Sequence, residues 1–166
     1  MYSEITAEQI LALPRAQKAM TLFCGGYSCA QSSLLAFIDL LSIDEQTAIC
    51  VASSFGGGMG KLRELCGALS GVFIAVGLLY GPSKLVDKKT KEDHYARIYE
   101  LGEQFRSYTN CNSFICRDLL KSELGTIGNS DSLKLIYSPA VEKPCPQLVG
   151  LAAGLLEYYI KIHPIK

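Results

Sequence analysis

Apolar residues recur every three to four positions along most of this chain, which is the spacing of one face of an α-helix. Capping boxes, in which Ser or Thr is followed three residues later by Gln, predict helix starts at Thr6 and Ser28. Asp44 is a candidate N-cap for another helix. No segment alternates convincingly between polar and apolar residues as a strand would. The pattern therefore predicts an all-α fold, a compact helical bundle that forms a single domain over residues 1–166.

Each longer predicted helix has an apolar face that we expect to point into the core. These helices open at Ser28, at Asp44, at about position 88 and at Pro146. The residues predicted on their apolar faces are, in chain order, Leu34, Phe37, Ile38 and Leu41; Ala48, Val51, Ala52 and Phe55; Tyr95, Ile98, Tyr99 and Phe105; and Leu148, Leu151, Ala152, Leu155, Leu156 and Tyr159.

The most apolar stretch, from Leu65 to Tyr80, is a candidate for the buried centre of the bundle. It is 16 residues long and interrupted by glycine, whereas a membrane crossing needs about 20 apolar residues. This stretch carries small residues, and so does the helix that begins near Cys29. The two helices are therefore predicted to pack with their backbones close together. That packing would bring Cys29 and Cys66 close to each other.

Composition excludes several classes of function. The 166 residues carry 16 basic and 16 acidic side chains, with a pI near 6.7, so a general nucleic-acid binder is not indicated. Hydrophobic residues make up 49%, enough for a core. The N-terminus lacks the pattern of a secretory signal, and we expect a protein of the reducing cytoplasm. No Ser-His-Asp arrangement suggests hydrolysis, and no residue is assigned as catalytic.

Seven cysteines against two histidines is the most informative imbalance in the composition. None forms a C-x-x-C pair, which argues against a zinc ribbon, a thioredoxin-type dithiol and an attached c-type haem. Four of them, Cys29, Cys66, Cys116 and Cys145, fall at predicted helix starts. Helix N-termini favour anions and lower thiol pKa values, so we expect four thiolates that meet in one negatively charged pocket.

A glycine-rich loop, Gly56–Gly60, precedes Lys61 and Cys66. It is not a phosphate-binding P-loop, because Leu62 stands where Ser or Thr would hold magnesium. The loop is either a flexible connection between helices or a backbone N–H nest for an anion beside Cys66.

Taken together, five short motifs resemble the C-GCAxxG-C-C family, whose name describes redox-active proteins. The hallmark Cys-Gly-Ala-x-x-Gly sequence lies at Cys66–Gly71, and the resemblance covers about residues 20–160. Ser28 stands where the family often has Asn, and Cys24, Cys50 and Cys111 are additional. The other four motifs are Cys29–Gln31, Phe55–Gly60, Cys116–Leu120 and Cys145–Val149.

The resemblance implies a redox function, as an oxidoreductase or electron carrier. A similar cysteine domain in split-Soret cytochromes implies an iron–sulfur cluster, of the 2Fe-2S type, with Cys29, Cys66, Cys116 and Cys145 as metal ligands. Gly57, Gly58 and Gly60 would then donate backbone N–H groups to the cofactor. The haem-binding motif of those cytochromes is absent.

Two alternatives to the cluster stay open at this stage. A thiol–disulfide protein would use a reactive pair of cysteines, and a structural site would hold zinc between helices. The physiological partner would be a redox protein of unknown identity, and a homodimer is a further expectation. The candidate redox thiols are Cys24, Cys29, Cys66, Cys111, Cys116 and Cys145.

Overall fold

A computed structural model of the chain describes residues 5–121 and 144–165. Over these residues the fold is all-α, as predicted, and the only extended pairing described is an isolated bridge between Leu65 and Ile115. Short 3-10 turns lie at Ile38–Leu40 and Ser53–Phe55. The helices are α1 (Ala7–Leu11), α2 (Pro14–Cys24), α3 (Cys29–Leu35), α4 (Glu45–Ala52), α5 (Gly67–Tyr80), α6 (Lys88–Tyr108), α7 (Cys116–Lys121) and α8 (Cys145–Ile162).

The predicted helix starts are confirmed by their hydrogen bonds. Thr6 and Ser28 each form both halves of a capping box, which opens α1 and α3. The Asp44 carboxylate accepts the backbone N–H of Thr47 at 2.8 Å and caps α4. Pro14 separates α1 from α2, because proline fits the first turn of a new helix but not the interior of an old one.

Helix α2 has no capping side chain next to it in the sequence, and it is capped by a carboxylate from α8. Leu13 at the N-cap makes no side-chain hydrogen bond. Instead, the backbone N–H of Arg15 donates to the nearly buried Glu157 carboxylate on α8 at 2.8 Å. The Arg15 guanidinium in turn binds both carboxylate oxygens of Asp39, at 2.7 and 2.8 Å. These bonds tie α2 to α8 and to the 3-10 turn after α3.

Helix α8 is the centre of the bundle and packs against α1, α2, α3, α5 and α6. Its glycines allow two of these contacts. A Cβ at Gly150 would lie 2.6 Å from the Met20 sulfur, and a Cβ at Gly154 would lie 2.5 Å from the carbonyl oxygen of Ile10. The predicted apolar stripe of this helix, from Leu148 to Tyr159, is buried as expected.

The predicted close packing of two small-residue helices is confirmed for α3 and α5. A Cβ at Gly71 would lie only 2.2 Å from the carbonyl oxygen of Ala30, so only glycine permits this approach. Most of α5 is buried, in agreement with its assignment as a central helix. No helix of the described residues has both the length and the apolar character that a membrane crossing requires.

Several residues predicted to be inward are exposed. Val51 is 46% exposed, Tyr95 55% and Tyr99 72%. The reason is that α4 and α6 meet the bundle along narrow stripes, and the buried residues of α6 lie in its C-terminal half, around Leu101 and Phe105. A further difference is that α3 ends at Leu35, so the apolar residues after it lie in a 3-10 turn rather than on one helical face.

Two glycines of α5 provide a matched test of the α3–α5 contact. We expect Gly71→Ala to destabilise the fold by about 3 kcal/mol or more, because the new methyl group meets backbone that cannot move aside. Gly77→Ala, on the same helix with nothing within 4 Å of the added carbon, is expected to stabilise it by up to about 1 kcal/mol. Denaturant unfolding of both variants measures the difference, and equal effects would contradict the close packing.

Candidate functional site

The four cysteines of the family motifs line one cavity of about 180 Å³. Cys29, Cys116 and Cys145 are the first residues of α3, α7 and α8. Cys66 is the N-cap of α5 and lies directly before its first residue. The structure therefore brings together the four positions that the sequence predicted as ligands, each at the start of a different helix.

A short pairing of extended backbone holds Cys66 and Cys116 next to each other. The N–H of Cys66 donates to the carbonyl oxygen of Phe114 at 2.9 Å, and the N–H of Cys116 donates to that of Glu64 at 2.6 Å. These bonds flank the bridge between Leu65 and Ile115. The start of α5 and the start of α7 are thus fixed to each other by backbone, without any dependence on side chains.

Cys29, at the start of α3, contacts Cys145, at the start of α8. Cys29 lies against α5. A Cβ added at Gly67 would be 3.2 Å from the Cβ of Cys29. The thiols of Cys29 and Cys145 are hydrogen-bond partners. At Gly67 the stronger clash would be with the carbonyl oxygen of Phe55, at 2.8 Å, so the first glycine of the Cys-Gly-Ala-x-x-Gly motif lets the chain before α5 pack closely against its start.

The glycine-rich loop contains a left-handed turn, residues 57–61, that packs against Cys116. From Gly57 to Lys61, every residue has a φ angle between 61° and 71°. A Cβ at Gly58 would lie 2.6 Å from the Cβ of Cys116. Of the three glycines predicted to bind a cofactor, Gly57 and Gly58 line the cavity and Gly60 does not. The prediction that their N–H groups donate to a cofactor stays a prediction.

The other residues around the cavity are mostly apolar, with one charged side chain, Arg63. The sequence did not identify them as site residues, because the apolar positions look like any core face until the helices are placed. Arg63 lies three residues before Cys66 in the sequence, but this spacing does not show whether the Arg63 side chain points into the cavity. The apolar lining residues are Phe23, Ala68, Leu119, Leu120, Leu148 and Val149.

Burial and mutual proximity raise the pKa of two of the four thiols. For Cys66 burial is the main cause and brings its pKa to about 12, although the N–H groups of Ala68 and Leu69 face its sulfur and partly oppose this without a regular capping hydrogen bond. The pKa of Cys29 is raised first by its hydrogen bond to Cys145 and then by burial. The predicted lowering of thiol pKa values is wrong for Cys29 and Cys66, because apolar walls and neighbouring sulfurs outweigh the partial charge of a helix start.

The additional cysteines lie away from this cavity. Cys24 and Cys50 are exposed and Cys111 is half-buried, and none of the three is among the lining residues. All seven cysteines are free thiols. Within residues 5–121 and 144–165, no three side chains of Cys, His, Asp or Glu are grouped closely enough to hold a single metal ion between them.

These features define a class of protein, an all-α domain with four cysteines at helix starts around one cavity. The sequence pattern of the family described as "Putative redox-active protein (C_GCAxxG_C_C)" matches residues 27–159, and the chain belongs to that family. The match includes all four cysteines that line the cavity. No curated protein and no solved structure matches the chain.

Two glycines in the left-handed turn test its contact with Cys116. Both Gly58→Ala and Gly60→Ala place a side chain at positive φ, which costs about 1 kcal/mol in each case. Only Gly58→Ala also drives a methyl group into Cys116, and we expect it to lower the unfolding free energy by a further ~1–3 kcal/mol. Thermal and denaturant unfolding provide the comparison, and indistinguishable variants would show that the turn does not pack on Cys116.

The raised pKa of Cys66 predicts a loss of stability in alkali. Between the ordinary thiol value of 9.0 and about 12, the folded protein keeps a proton that the unfolded chain has lost. Because the folded state then binds more protons, stability falls as the pH rises through this window and is unaffected below it. Unfolding of the metal-free protein at about pH 8 and about pH 11 measures the slope. In Cys66→Ala the slope is expected to be smaller, and an unchanged slope would assign it to other groups.

Proposed function

We propose that the cavity binds an iron–sulfur cluster of the two-iron type through Cys29, Cys66, Cys116 and Cys145, and that the protein carries or senses electrons. One observation carries this proposal: the four cysteines, from four separate helix starts, line the same cavity. Four thiolates are the usual ligand set of such clusters. The family to which the chain belongs is described as redox-active, which supports a redox role without specifying the cofactor.

The size and chemistry of the cavity suit a cluster. Its volume of about 180 Å³ exceeds the ~150 Å³ of a cavity that holds a benzene-sized group, so a small polyatomic cofactor has room. Its walls are mostly apolar, with Phe23 and Leu148 among them. Because buried clusters surrounded by hydrocarbon are protected from solvent, these walls would also help to set the reduction potential.

A structural zinc ion fits this arrangement less well than a cluster. Zinc needs its thiolate ligands about 2.3 Å from a single point. Among the described residues no three potential ligands are grouped for one ion, whereas a two-iron cluster divides its four thiolates into two pairs, one on each iron. A zinc site would therefore require the helix starts to move closer together.

A second candidate is thiol–disulfide chemistry, favoured by the contact between Cys29 and Cys145. Formation of a disulfide between these two thiols would pass two electrons and two protons to an oxidised partner protein, whose own S–S bond would break to give two thiols. Attack requires a thiolate, and the raised pKa of Cys29 makes that thiol a poor attacking group near neutral pH. We rank this function below the cluster because it uses two of the four cysteines that line the cavity, whereas a cluster uses all four.

Both candidates agree with the wider predictions made from the sequence. The predicted cytoplasm is a reducing compartment, which would keep cysteines that bind no metal as thiols. An electron carrier requires a redox partner protein, whose identity the sequence does not indicate. Cytoplasmic location, homodimer formation and the extent of the single domain remain predictions.

Cluster assembly in the absence of oxygen tests the proposal. We expect purified protein, supplied with ferrous iron and sulfide, to turn brown and to hold iron and acid-labile sulfide in equal amounts. Single Cys→Ser variants at Cys29, Cys66, Cys116 or Cys145 are expected to reduce cluster content several-fold, because each removes one soft ligand. Cys50→Ser, at an exposed thiol away from the cavity, is the matched control and should assemble normally.

Other outcomes would point to the alternatives. A colourless protein whose Cys29 and Cys145 change reversibly between thiol and disulfide, as read by alkylation and mass spectrometry, would favour the dithiol function. Zinc retained after purification, with no redox change, would favour a structural metal. Equal losses in Cys50→Ser and the four site variants would show that the cavity is not the binding site.

A further inference from the structure

Arg63 is the one charged side chain among the described residues that line the four-cysteine cavity. Its Nη1 atom donates to the Cys116 sulfur at 3.9 Å, a long hydrogen bond of the kind that sulfur accepts. The same nitrogen lies 3.7 Å from the point where a Cβ at Gly57 would be. The guanidinium group therefore fills the space between the left-handed turn and the start of α7.

The backbone holds Arg63 in this direction at a conformational cost. Its φ angle is 63°, a left-handed value that a non-glycine residue adopts only when its surroundings impose it. The imposing contacts come from Arg117, whose backbone N–H and Nε both donate to the Arg63 carbonyl oxygen, at 3.2 and 3.1 Å. The position of the Arg63 side chain is thus a product of the same backbone pairing that places Cys116.

No carboxylate within the described ranges forms an ion pair with Arg63. Its neighbour in sequence, Glu64, is bound instead to Arg117 on the outer side of the site. The positive charge of Arg63 is therefore available to the sulfur atoms. A cation that is paired with a carboxylate would contribute much less to the potential inside the cavity.

We infer that Arg63 is a charge-compensating residue that raises the reduction potential of the four-cysteine site, an inference that rests on the proposed cluster function. A two-iron cluster with four thiolates is already an anion, and one electron from a reduced carrier protein makes it one unit more negative. No bond of the chain forms or breaks in this step. A fixed positive charge beside Cys116, in a cavity with apolar walls, stabilises the reduced state more than the oxidised one.

Redox titration of assembled protein tests this inference. We expect Arg63→Gln to lower the midpoint potential, because it removes the charge and keeps most of the volume. Arg63→Lys should fall between this variant and the parent protein, since it keeps a charge but loses the planar donor group. Lys61→Gln, two residues away, with an exposed side chain outside the cavity lining, removes the same charge and should leave the potential unchanged.

The variants also separate a charge effect from a backbone effect. Arg63→Gly relieves the left-handed strain and removes the cation, so it should fold at least as well as Arg63→Gln and show the same lowered potential. Parent-like potentials in Arg63→Gln and Arg63→Gly, at full iron and sulfide content, would overturn the inference and leave the cluster function intact. Failure of the parent protein itself to assemble a cluster would overturn the proposed function and this inference with it.

Discussion

The arrangement of the site depends on how closely α3 and α5 approach each other. Both helices begin at a cysteine or directly after one, and their separation fixes the distance between Cys29 and Cys66. Gly71 lies against the backbone of Ala30, and Gly67 lies against Cys29 itself. A side chain at Gly71 would push the two helices apart, and one at Gly67 would meet the carbonyl oxygen of Phe55 at 2.8 Å and crowd Cys29. The motif that marks the family is in this sense a packing device first, and it provides only one of the four sulfurs.

The site combines two opposing electrostatic effects. Four helix starts and Arg63 favour negative charge, while apolar walls and neighbouring sulfurs oppose it. For Cys29 and Cys66 the second effect prevails in the metal-free protein, and both pKa values rise. These two thiols therefore stay protonated near neutral pH in the metal-free protein. In the proposed cluster site, metal binding would displace these protons.

The structure separates the parts that hold the fold together from the parts that carry the proposed chemistry. Glu157, which caps α2, lies on the same helix as Cys145 but twelve residues further on, about 18 Å along the axis. Its bonds to α2 and the ion pair between Arg15 and Asp39 stabilise the far part of the bundle. Helix α8 is therefore held in place partly by contacts far from the cavity. These contacts help to fix the position of Cys145 at its start.

The sequence by itself determined the helices and identified the four cysteines. Capping residues such as Ser28 and Asp44 act on their own backbone within three residues, so local sequence is sufficient to place them. The family motifs gave the ligand candidates because their spacing is a property of the chain. The exposed faces around Tyr95 and Tyr99 were misjudged, because a periodic pattern does not show how wide a stripe the neighbouring helices will cover.

Only the tertiary structure decided which groups share the cavity and in what state. The direction of Arg63, the contact between Cys29 and Cys145 and the exclusion of Cys24 and Cys111 all depend on contacts between separate elements. The pKa values followed the same rule: a helix start is a local feature that lowers a thiol's pKa, but burial is set by every chain segment around it. Local sequence therefore predicted that the four cysteines lie at helix starts, and packing determined the pKa values of Cys29 and Cys66.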